Sequence, residues 1–226
     1  MSTIAILLCA GRGERLGAGV DKALAPLAGR PLFLWSLETL ERCEAIHGIV
    51  VVGPVRVLEE RVAADGLTPR KIVAWTEGGR ERQQSVARGL AALPADCTHV
   101  AIHDAARALV SAEAIARVVG DALTHGAAIA AVPLADTLKR TSLEVIETTV
   151  PRQGLWCAQT PQVFRRDWIE AAHAAARSQA TDDAALVEAL GHPVRVTAGE
   201  ALNFKITTAQ DLALAEAWLS RVATGS

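Results

Sequence analysis

The chain has 226 residues, a hydrophobic fraction of 50% and a formal net charge of -2. That length suits one large α/β domain with a substantial core and does not favour two independent enzymatic domains, so we expect a single domain over residues 1–226. The near-neutral charge provides no electrostatic footprint for nucleic acid or for an anionic membrane surface. A small molecule is therefore the favoured ligand.

Nothing in the sequence predicts export or a membrane anchor. The apolar residues are scattered, and no run approaches the roughly 18 continuous apolar residues of a membrane span. The first run, TIAILLCA, is short and lacks a basic segment before it, so it predicts a strand and not a signal peptide. We therefore expect a cytoplasmic protein. Free buried thiols are predicted for the four cysteines, which have no CxxC spacing: Cys9, Cys43, Cys97 and Cys157.

Short continuous apolar runs alternate with helical patterns along the first part of the chain. The predicted strands lie at 3–10, 48–53, 71–75, 99–105 and 127–134, and the predicted helices lie at 31–43, 81–93 and 111–126. This alternation predicts an α/β fold with a doubly wound, mostly parallel, twisted sheet of the Rossmann-like kind. Right-handed crossovers then place the strand-to-helix loops at one sheet edge, where such folds bind ligands.

The stretch from Asp136 to Phe164 departs from that rhythm. Polar residues, β-branched residues and turn formers predict extended strands that project from the body as an arm at about 136–158. The arm would leave strand edges and apolar side chains exposed, so we expect it to pair with the same arm of a second subunit. Beyond it we expect a helix from about Asp167, a helix opened by TDDAALVEALG, a strand VRVTAG and a last helix capped by Thr208.

The first strand runs directly into a glycine-rich turn, LLCAGRGERLG. Gly11 and Gly13 let backbone N–H groups approach a ligand closely, while Arg15 and the later Lys22 supply positive charge, a combination typical of polyphosphate binding. The turn is not a dinucleotide fingerprint, because Leu16 occupies the third glycine position, and no G-K-[ST] of a Walker loop is present. Taken alone, the pattern fits a solvated basic loop equally well.

Two later turns fall at the same predicted sheet edge. In EGGRERQQSV, Gly79 permits close approach of a flat base and Ser85 is placed to hydrogen-bond its edge, although an ordinary glycine turn before a helix gives the same pattern. In HDAARA, Asp104 ends a strand, where a carboxylate can support Mg²⁺ bound to phosphates. The alternative for Asp104 is a helix cap paired with Arg107, and His103 is expected to be a packed residue.

Taken in order, these pieces resemble the 2-C-methyl-D-erythritol 4-phosphate cytidylyltransferases of the non-mevalonate isoprenoid pathway. The resemblance spans nearly the whole chain and rests on LLCAGRGERLG, Lys22, GGRERQQSV, HDAAR, DTLKR, PRQGLW, QTPQ, TDDA and NFKIT. It implies a homodimeric enzyme with a nucleotidyltransferase fold that transfers CMP from CTP to methylerythritol phosphate. It also implies release of pyrophosphate and a requirement for Mg²⁺.

The same resemblance implies a role for each matching residue. The cations that would stabilise the transition state or position the reactants are Arg15, Lys22, Arg152 and Lys205. The nucleotide-binding residues would be Ala10, Gly11, Gly13, Gly79, Ser85, Asp104 and Arg107, with Asp104 also at the metal. The acceptor-binding residues would be Thr137, Arg152 and Lys205.

Three residues depart from the pattern that the resemblance leads us to expect. Asp21 and Ala108 stand in the place of prolines, and Cys9 stands where alanine is common. A carboxylate beside Lys22 would partly offset the charge that the lysine brings to a triphosphate, so we expect the Asp21 side chain to point away.

The chemistry that the resemblance implies is consistent with the residue types present. A phosphate monoester is largely dianionic at pH 7, so it can attack without a general base, and the lack of a Ser-His-Asp triad or a carboxylate pair is no obstacle. Two alternatives stay open. One is a CTP-dependent nucleotidyltransferase for another phosphorylated polyol or sugar, and the other is a non-catalytic nucleotide-binding regulatory module.

Overall fold

A central seven-stranded sheet carries helices on both faces in the computed structural model, which describes residues 1–11 and 22–223. A 3₁₀ turn at Lys22–Leu24 follows the first strand. The strands of this described part are β1 (Ser2–Leu8), β2 (Pro26–Leu27), β3 (Arg30–Pro31), β4 (Gly48–Val52), β5 (Ile72–Thr76), β6 (Cys97–Asp104), β7 (Ala127–Pro133), β8 (Leu138–Ser142), β9 (Val145–Val150), β10 (Trp156–Arg165) and β11 (Arg195–Ala198). The helices are α1 (Leu32–Arg42), α2 (Val55–Ala64), α3 (Arg82–Ala91), α4 (Ala112–His125), α5 (Arg166–Ala175), α6 (Asp183–Ala189) and α7 (Ala209–Ala223).

The strand order of the sheet is β11-β7-β10-β6-β1-β4-β5. Every neighbouring pair is parallel except those of β10, which runs antiparallel to both β6 and β7. The prediction of a doubly wound, mostly parallel α/β sheet is confirmed. Because β1 and β6 are parallel neighbours, the loops that follow them emerge side by side at one edge.

Alternation along β1 explains how the sheet acquires two apolar faces. Ala5 and Leu7 belong to the cluster packed under α1, α2 and α4, whereas Ile4 and Ile6 belong to the cluster packed under α3, α5 and α6. All four side chains are buried, since successive residues of a strand point to opposite faces and both faces are covered.

Helix α2, strand β10 and the short antiparallel pair of β2 and β3 lie outside the predicted pattern. Helix α2 begins directly after Gly53 and Pro54, and only Leu58 and Val62 of its residues are buried. Strand β10 is formed by the end of the stretch predicted as arm strands, and it enters the sheet between β6 and β7. The boundary of the arm therefore needs correction, because residues 156–158 already pair with β7.

The predicted elements after the arm are present as α5, α6, β11 and α7. Thr208 caps α7 as expected, since its Oγ1 accepts a hydrogen bond from the Asp211 backbone N–H at 3.1 Å. This cap fixes the loop just ahead of α7, which contains Lys205.

Strands β8 and β9 form a hairpin that pairs with no other strand among residues 1–11 and 22–223. Leu143 and Glu144 make its two-residue turn, both with positive φ, as a tight hairpin turn requires. The apolar side chains near the turn face solvent, with Leu143 exposed by 96%, Val145 by 68% and Ile146 by 60%. The projecting arm thus has the exposed apolar surface that the sequence predicts.

Three cysteines are buried free thiols, as predicted: Cys9, Cys43 and Cys97. Cys157 is exposed, which corrects the prediction, because it lies near the start of β10, where this strand leaves the arm. Within the described residues, no helix combines the length and hydrophobicity that crossing a bilayer requires.

Candidate active site

A cavity of about 280 Å³ opens at the carboxyl ends of β1 and β6. This is the sheet edge at which the sequence predicts a ligand, and it forms because the loops after parallel neighbours meet there. Six of the predicted site residues line this cavity, which we call the first cavity: Ala10, Gly11, Lys22, Ser85, Asp104 and Lys205.

Lys22 lies beside Gly11 and lines the first cavity. The Lys22 backbone N–H donates to the Gly11 carbonyl at 3.1 Å, and the 3₁₀ turn begins at Lys22. The predicted site residues Gly13 and Arg15, and the neighbouring Asp21, lie outside the residues that the structure describes.

Ser85 is held in place by the second glycine turn. Its Oγ accepts a hydrogen bond from the Gly79 backbone N–H at 3.0 Å and donates to the Glu81 carbonyl at 3.1 Å. Ser85 is buried and lines the first cavity, whereas Gly79 is not part of the lining. Because the hydroxyl proton is already engaged, Ser85 has an acceptor lone pair, and not a donor, to offer a ligand.

Gly78 lets this turn pack directly against the loop after β1. A Cβ atom at Gly78 would overlap the Cβ atom of Ala10, which lines the first cavity. The glycine is therefore required by the close approach of two backbone segments that together shape the cavity wall.

Asp104 lies between two cations. Lys205 Nζ is 2.7 Å from Asp104 Oδ2, and Arg82 Nε is 3.1 Å from Asp104 Oδ1. Burial alone would raise the pKa of Asp104, but the Arg82 and Lys205 charges hold it well below its ordinary value. The carboxylate is therefore ionised at neutral pH and keeps both cations at the cavity.

Arg82 is a residue that sequence reasoning missed. Besides Asp104, its guanidinium binds Asp183 at 2.7 Å between Nη1 and Oδ2. His173 Nε2 lies 3.0 Å from the other Asp183 oxygen. Arg82 falls inside the motif GGRERQQSV, and this position was the only available signal, because Asp183 stands 101 residues later in the chain.

A second cavity of about 290 Å³ adjoins the first and shares Arg82, Asp104 and Lys205 with it. Arg107 lines this second cavity and is not part of the lining of the first. Its Nη1 donates to the Asn203 carbonyl at 2.7 Å and its Nη2 donates to the Ala158 carbonyl at 3.2 Å. The structure thus places Arg107 at the second cavity and not at the first, and Asp104 takes Arg82 and Lys205 as its ion-pair partners.

His103 is linked to Asp104 through the Thr160 hydroxyl. Its Nδ1 lies 3.1 Å from Thr160 Oγ1, which in turn accepts a hydrogen bond from the Asp104 backbone N–H at 3.1 Å. Burial lowers the pKa of His103 to about 4. The imidazole is therefore neutral and packed, as the sequence predicts.

Thr137 and Arg152 lie apart from the other predicted site residues. Neither lines the first or the second cavity. Arg152 is exposed and its guanidinium donates to the Ala135 carbonyl at the base of the arm. Within one chain, these two residues are not brought together with Lys22 and Lys205.

The acidic groups at the cavities are few. Among the residues that the structure describes, no three His, Cys, Asp or Glu side chains are grouped as a metal site. Asp104 is the acidic side chain within the described lining of the first cavity. A single carboxylate suits a Mg²⁺ ion that is bound mainly by substrate phosphates. Such an ion usually takes one or two protein carboxylates, and phosphate oxygens and water molecules fill its other positions.

Known proteins match this chain along nearly its full length. A family model described as 2-C-methyl-D-erythritol 4-phosphate cytidylyltransferase matches residues 3–221. The chain belongs to that family. It is 45% identical to the family member from Gloeobacter violaceus, covering 95% of this chain and 94% of that protein. It is 44% identical to the member from Geobacillus kaustophilus, covering 97% of this chain and 98% of that protein.

Solved structures of the cytidylyltransferase family share the fold. The Thermus thermophilus enzyme superposes with a TM-score of 0.78 at 37% identity, covering 97% of this chain and 100% of that one. Membership confirms the resemblance carried by the motifs and makes the chain a nucleotidyltransferase enzyme. The alternative of a non-catalytic regulatory module is set aside.

Proposed function

We propose that this chain transfers a cytidylyl group from CTP to 2-C-methyl-D-erythritol 4-phosphate and releases pyrophosphate, as a step in isoprenoid biosynthesis. The observation that carries the proposal is the arrangement of two adjoining cavities that share Arg82, Asp104 and Lys205. A nucleotide in one cavity and a phosphorylated acceptor in the other would meet at that shared wall.

The first cavity suits the nucleotide. Ala10 and Gly11 present backbone at close range, and Ser85 offers a lone pair that can accept from an exocyclic amino group, such as that of cytosine. Lys22 and Lys205 line the same cavity and supply charge for the phosphates. A space of about 280 Å³ favours a pyrimidine over a purine at such close backbone contact.

The second cavity suits the acceptor. Arg107 and Lys205 line it and can bind a phosphate. A phosphate monoester is mostly dianionic at neutral pH, so its oxygen can attack the α-phosphorus of CTP without a base. The bond from the α-phosphorus to the bridging oxygen breaks, and pyrophosphate leaves with that electron pair.

Charge stabilisation is then the main contribution of the protein. Two anions must approach each other, and negative charge grows on the oxygens around the α-phosphorus in the transition state. Lys22 and Lys205 are preorganised cations at this place, and each is expected to contribute about 3 kcal/mol, by analogy with donors to an oxyanion. Arg15 is proposed to act with them on the strength of the family motif.

Mg²⁺ is proposed to enter with the CTP phosphates. Asp104 would hold it through one carboxylate oxygen, and the ion would neutralise phosphate charge. Asp104 is ionised at neutral pH, because Arg82 and Lys205 hold its pKa low, and Mg²⁺ would share a carboxylate oxygen with one of these two cations.

The arm is proposed to form a homodimer and to complete the acceptor site of the partner. Leu143, Val145 and Ile146 are exposed apolar residues on a hairpin whose outer strand edges are unpaired within the described chain. Thr137 and Arg152 lie near the base of that hairpin and outside both cavities of their own chain. A two-fold contact between arms would bring these residues to the other subunit's second cavity.

The test is pyrophosphate release by the purified protein with Mg²⁺ and a matrix of substrates. CTP with 2-C-methyl-D-erythritol 4-phosphate should give turnover, and ATP or GTP should give little. Comparable turnover with ribitol phosphate or a sugar phosphate would favour the alternative of a different acceptor. No release with any pair would contradict the proposal.

A further inference from the structure

Arg82 bridges two buried carboxylates at the wall between the two cavities. Its Nε lies 3.1 Å from Asp104 Oδ1, and its Nη1 lies 2.7 Å from Asp183 Oδ2. The Asp183 side chain is only 1% exposed and lines neither cavity, and His173 contacts its second oxygen. Asp183 is therefore an internal anchor that a substrate does not reach.

The three residues come from three separate elements. Arg82 is the first residue of α3, Asp104 is the last residue of β6 and Asp183 is the first residue of α6. A guanidinium is planar and presents its N–H groups in a fixed fork, so binding at two points determines its orientation as well as its position. Asp183 thus sets the direction from which Arg82 approaches Asp104.

This anchoring has a consequence for Lys205. With Oδ1 of Asp104 bound to Arg82, rotation of the carboxylate is restricted and Oδ2 remains directed at Lys205 Nζ, 2.7 Å away. Lys205 lies on a loop and its side chain is 40% exposed, so the position of its ammonium group depends on that contact. The position of the Lys205 ammonium group at the cavity boundary therefore depends on Asp183 of α6, which acts through Arg82 and Asp104.

We propose that Arg82 is a positioning residue, which orients Asp104 and Lys205 for cytidylyl transfer and is itself oriented by Asp183. The inference rests on the proposed function for its kinetic consequences. Arg82 acts through Asp104 and Lys205, since its Nε and Nη1 are held by the two carboxylates.

The chain offers a matched control. Arg30 also bridges two carboxylates, with Nη1 2.6 Å from Glu38 Oε2 and Nη2 2.8 Å from Asp65 Oδ2. Arg30 lines neither cavity. Arg30→Met therefore removes a bridging guanidinium of the same kind without touching the site.

The test compares Arg82→Met, Arg82→Lys, Asp183→Asn and Arg30→Met by steady-state kinetics and thermal unfolding. Because displacement of a catalytic group by about 1 Å can cost about 100-fold in rate, Arg82→Met should lower kcat by about that factor, with KM for either substrate changed by less than about 5-fold. Arg82→Lys keeps the charge but loses the fork, and should stay at least about 10-fold below wild type. Arg30→Met should lower the unfolding midpoint and leave kcat unchanged.

Asp183→Asn should lower kcat in the wild-type background and have no further effect in the Arg82→Met background, because both changes break one chain of contacts. A folded Arg82→Met variant with wild-type kcat, full recovery in Arg82→Lys, or a rise in KM alone would overturn the proposal. If Arg82→Met does not fold, Arg82→Lys and Asp183→Asn decide by the same criteria.

A structural measurement separates this inference from the proposed function. Crystal structures of wild type and Asp183→Asn should differ in the separation of Lys205 Nζ and Asp104 Oδ2. An unchanged separation overturns the positioning role even if the wild-type protein is inactive. An inactive wild-type protein with the predicted displacement instead contradicts the proposed function alone.

Discussion

Lys205 Nζ and Asp104 Oδ2 lie 2.7 Å apart at the boundary between the two cavities. The pair joins the end of β6 to the loop ahead of α7, two segments about 100 residues apart in sequence. It holds a cation where the attacking and the transferred phosphate would meet, which is the position at which charge develops.

Lys205→Met should therefore lower kcat by about 100-fold or more, with a smaller rise in KM for CTP, since the lost interaction strengthens in the transition state. Pyrophosphate release measures both constants. Lys71→Met is the control, because Lys71 donates to the Cys43 carbonyl at a distance from both cavities. Wild-type kcat in Lys205→Met would rule out this role.

Gly78→Ala should damage the first cavity, because the added Cβ atom would overlap Ala10 and force the loop after β1 to move. We expect KM for CTP to rise by at least about 10-fold, corresponding to about 1.4 kcal/mol of lost binding. Gly120→Ala is the matched control. Gly120 lies exposed in α4 with open space around its Cβ position, so that variant should gain up to about 1 kcal/mol of stability and keep its KM. Equal KM values in the two variants would contradict the assignment.

His103 should make folding sensitive to acid. Its ordinary pKa of 6.5 falls to about 4 in the folded protein because the imidazole is buried. Between those values the unfolded chain binds a proton that the folded chain does not, so stability is full above pH 6.5 and is lost as the pH falls toward 4. Urea unfolding in metal-free buffer at pH 7 and pH 5 should show a loss about 2 kcal/mol larger in wild type than in His103→Gln. The same loss in both proteins would show that His103 does not carry the effect.

We expect the arm of one subunit to contribute Arg152 to the active site of the other subunit. In a mixed dimer of one Lys22→Ala chain and one Arg152→Ala chain, sharing in trans puts both lesions in one site and leaves the other site intact. Subunit exchange between the two inactive homodimers should then restore activity toward one working site per mixed dimer. Mass measurement confirms that the mixed dimer forms, and no recovery in its presence would assign Arg152 to its own subunit.

The elements that could be predicted from the sequence are those marked by a local pattern of apolar residues or glycines. Runs such as GIVVVG are buried on both faces and read directly as strands, and the glycine turns after them follow from chain order. Helix α2 was not predicted, because it buries only two side chains and therefore shows a weak apolar pattern. Strand β10 was not predicted as part of the sheet, because it contains the polar residues Gln159 and Gln162. Both are buried, and their amide groups donate to the Glu200 carbonyl and the Asp182 carboxylate, respectively.

The candidate site divides in the same way. Lys22, Ser85 and Asp104 stand in motifs whose residue types indicate phosphate, base and metal, and the structure places all three at one cavity. Arg82 and Asp183 lie inside the motifs GGRERQQSV and TDDA, but nothing in these motifs indicates that the two side chains pair. Their contact depends on the packing of both α3 and α6 against α5, which only the folded chain reveals.

Exchange of labelled pyrophosphate into CTP tests direct cytidylyl transfer between the two cavities. If the transfer is direct and reversible, label should enter CTP only when the acceptor is present. With 2-C-methyl-D-erythritol 4-phosphate, CTP and Mg²⁺ at equilibrium, the wild-type protein should incorporate label into CTP. Without the acceptor it should incorporate none, since no covalent CMP–enzyme forms. Incorporation without the acceptor, or none in either mixture, would contradict direct cytidylyl transfer at the Asp104–Lys205 boundary.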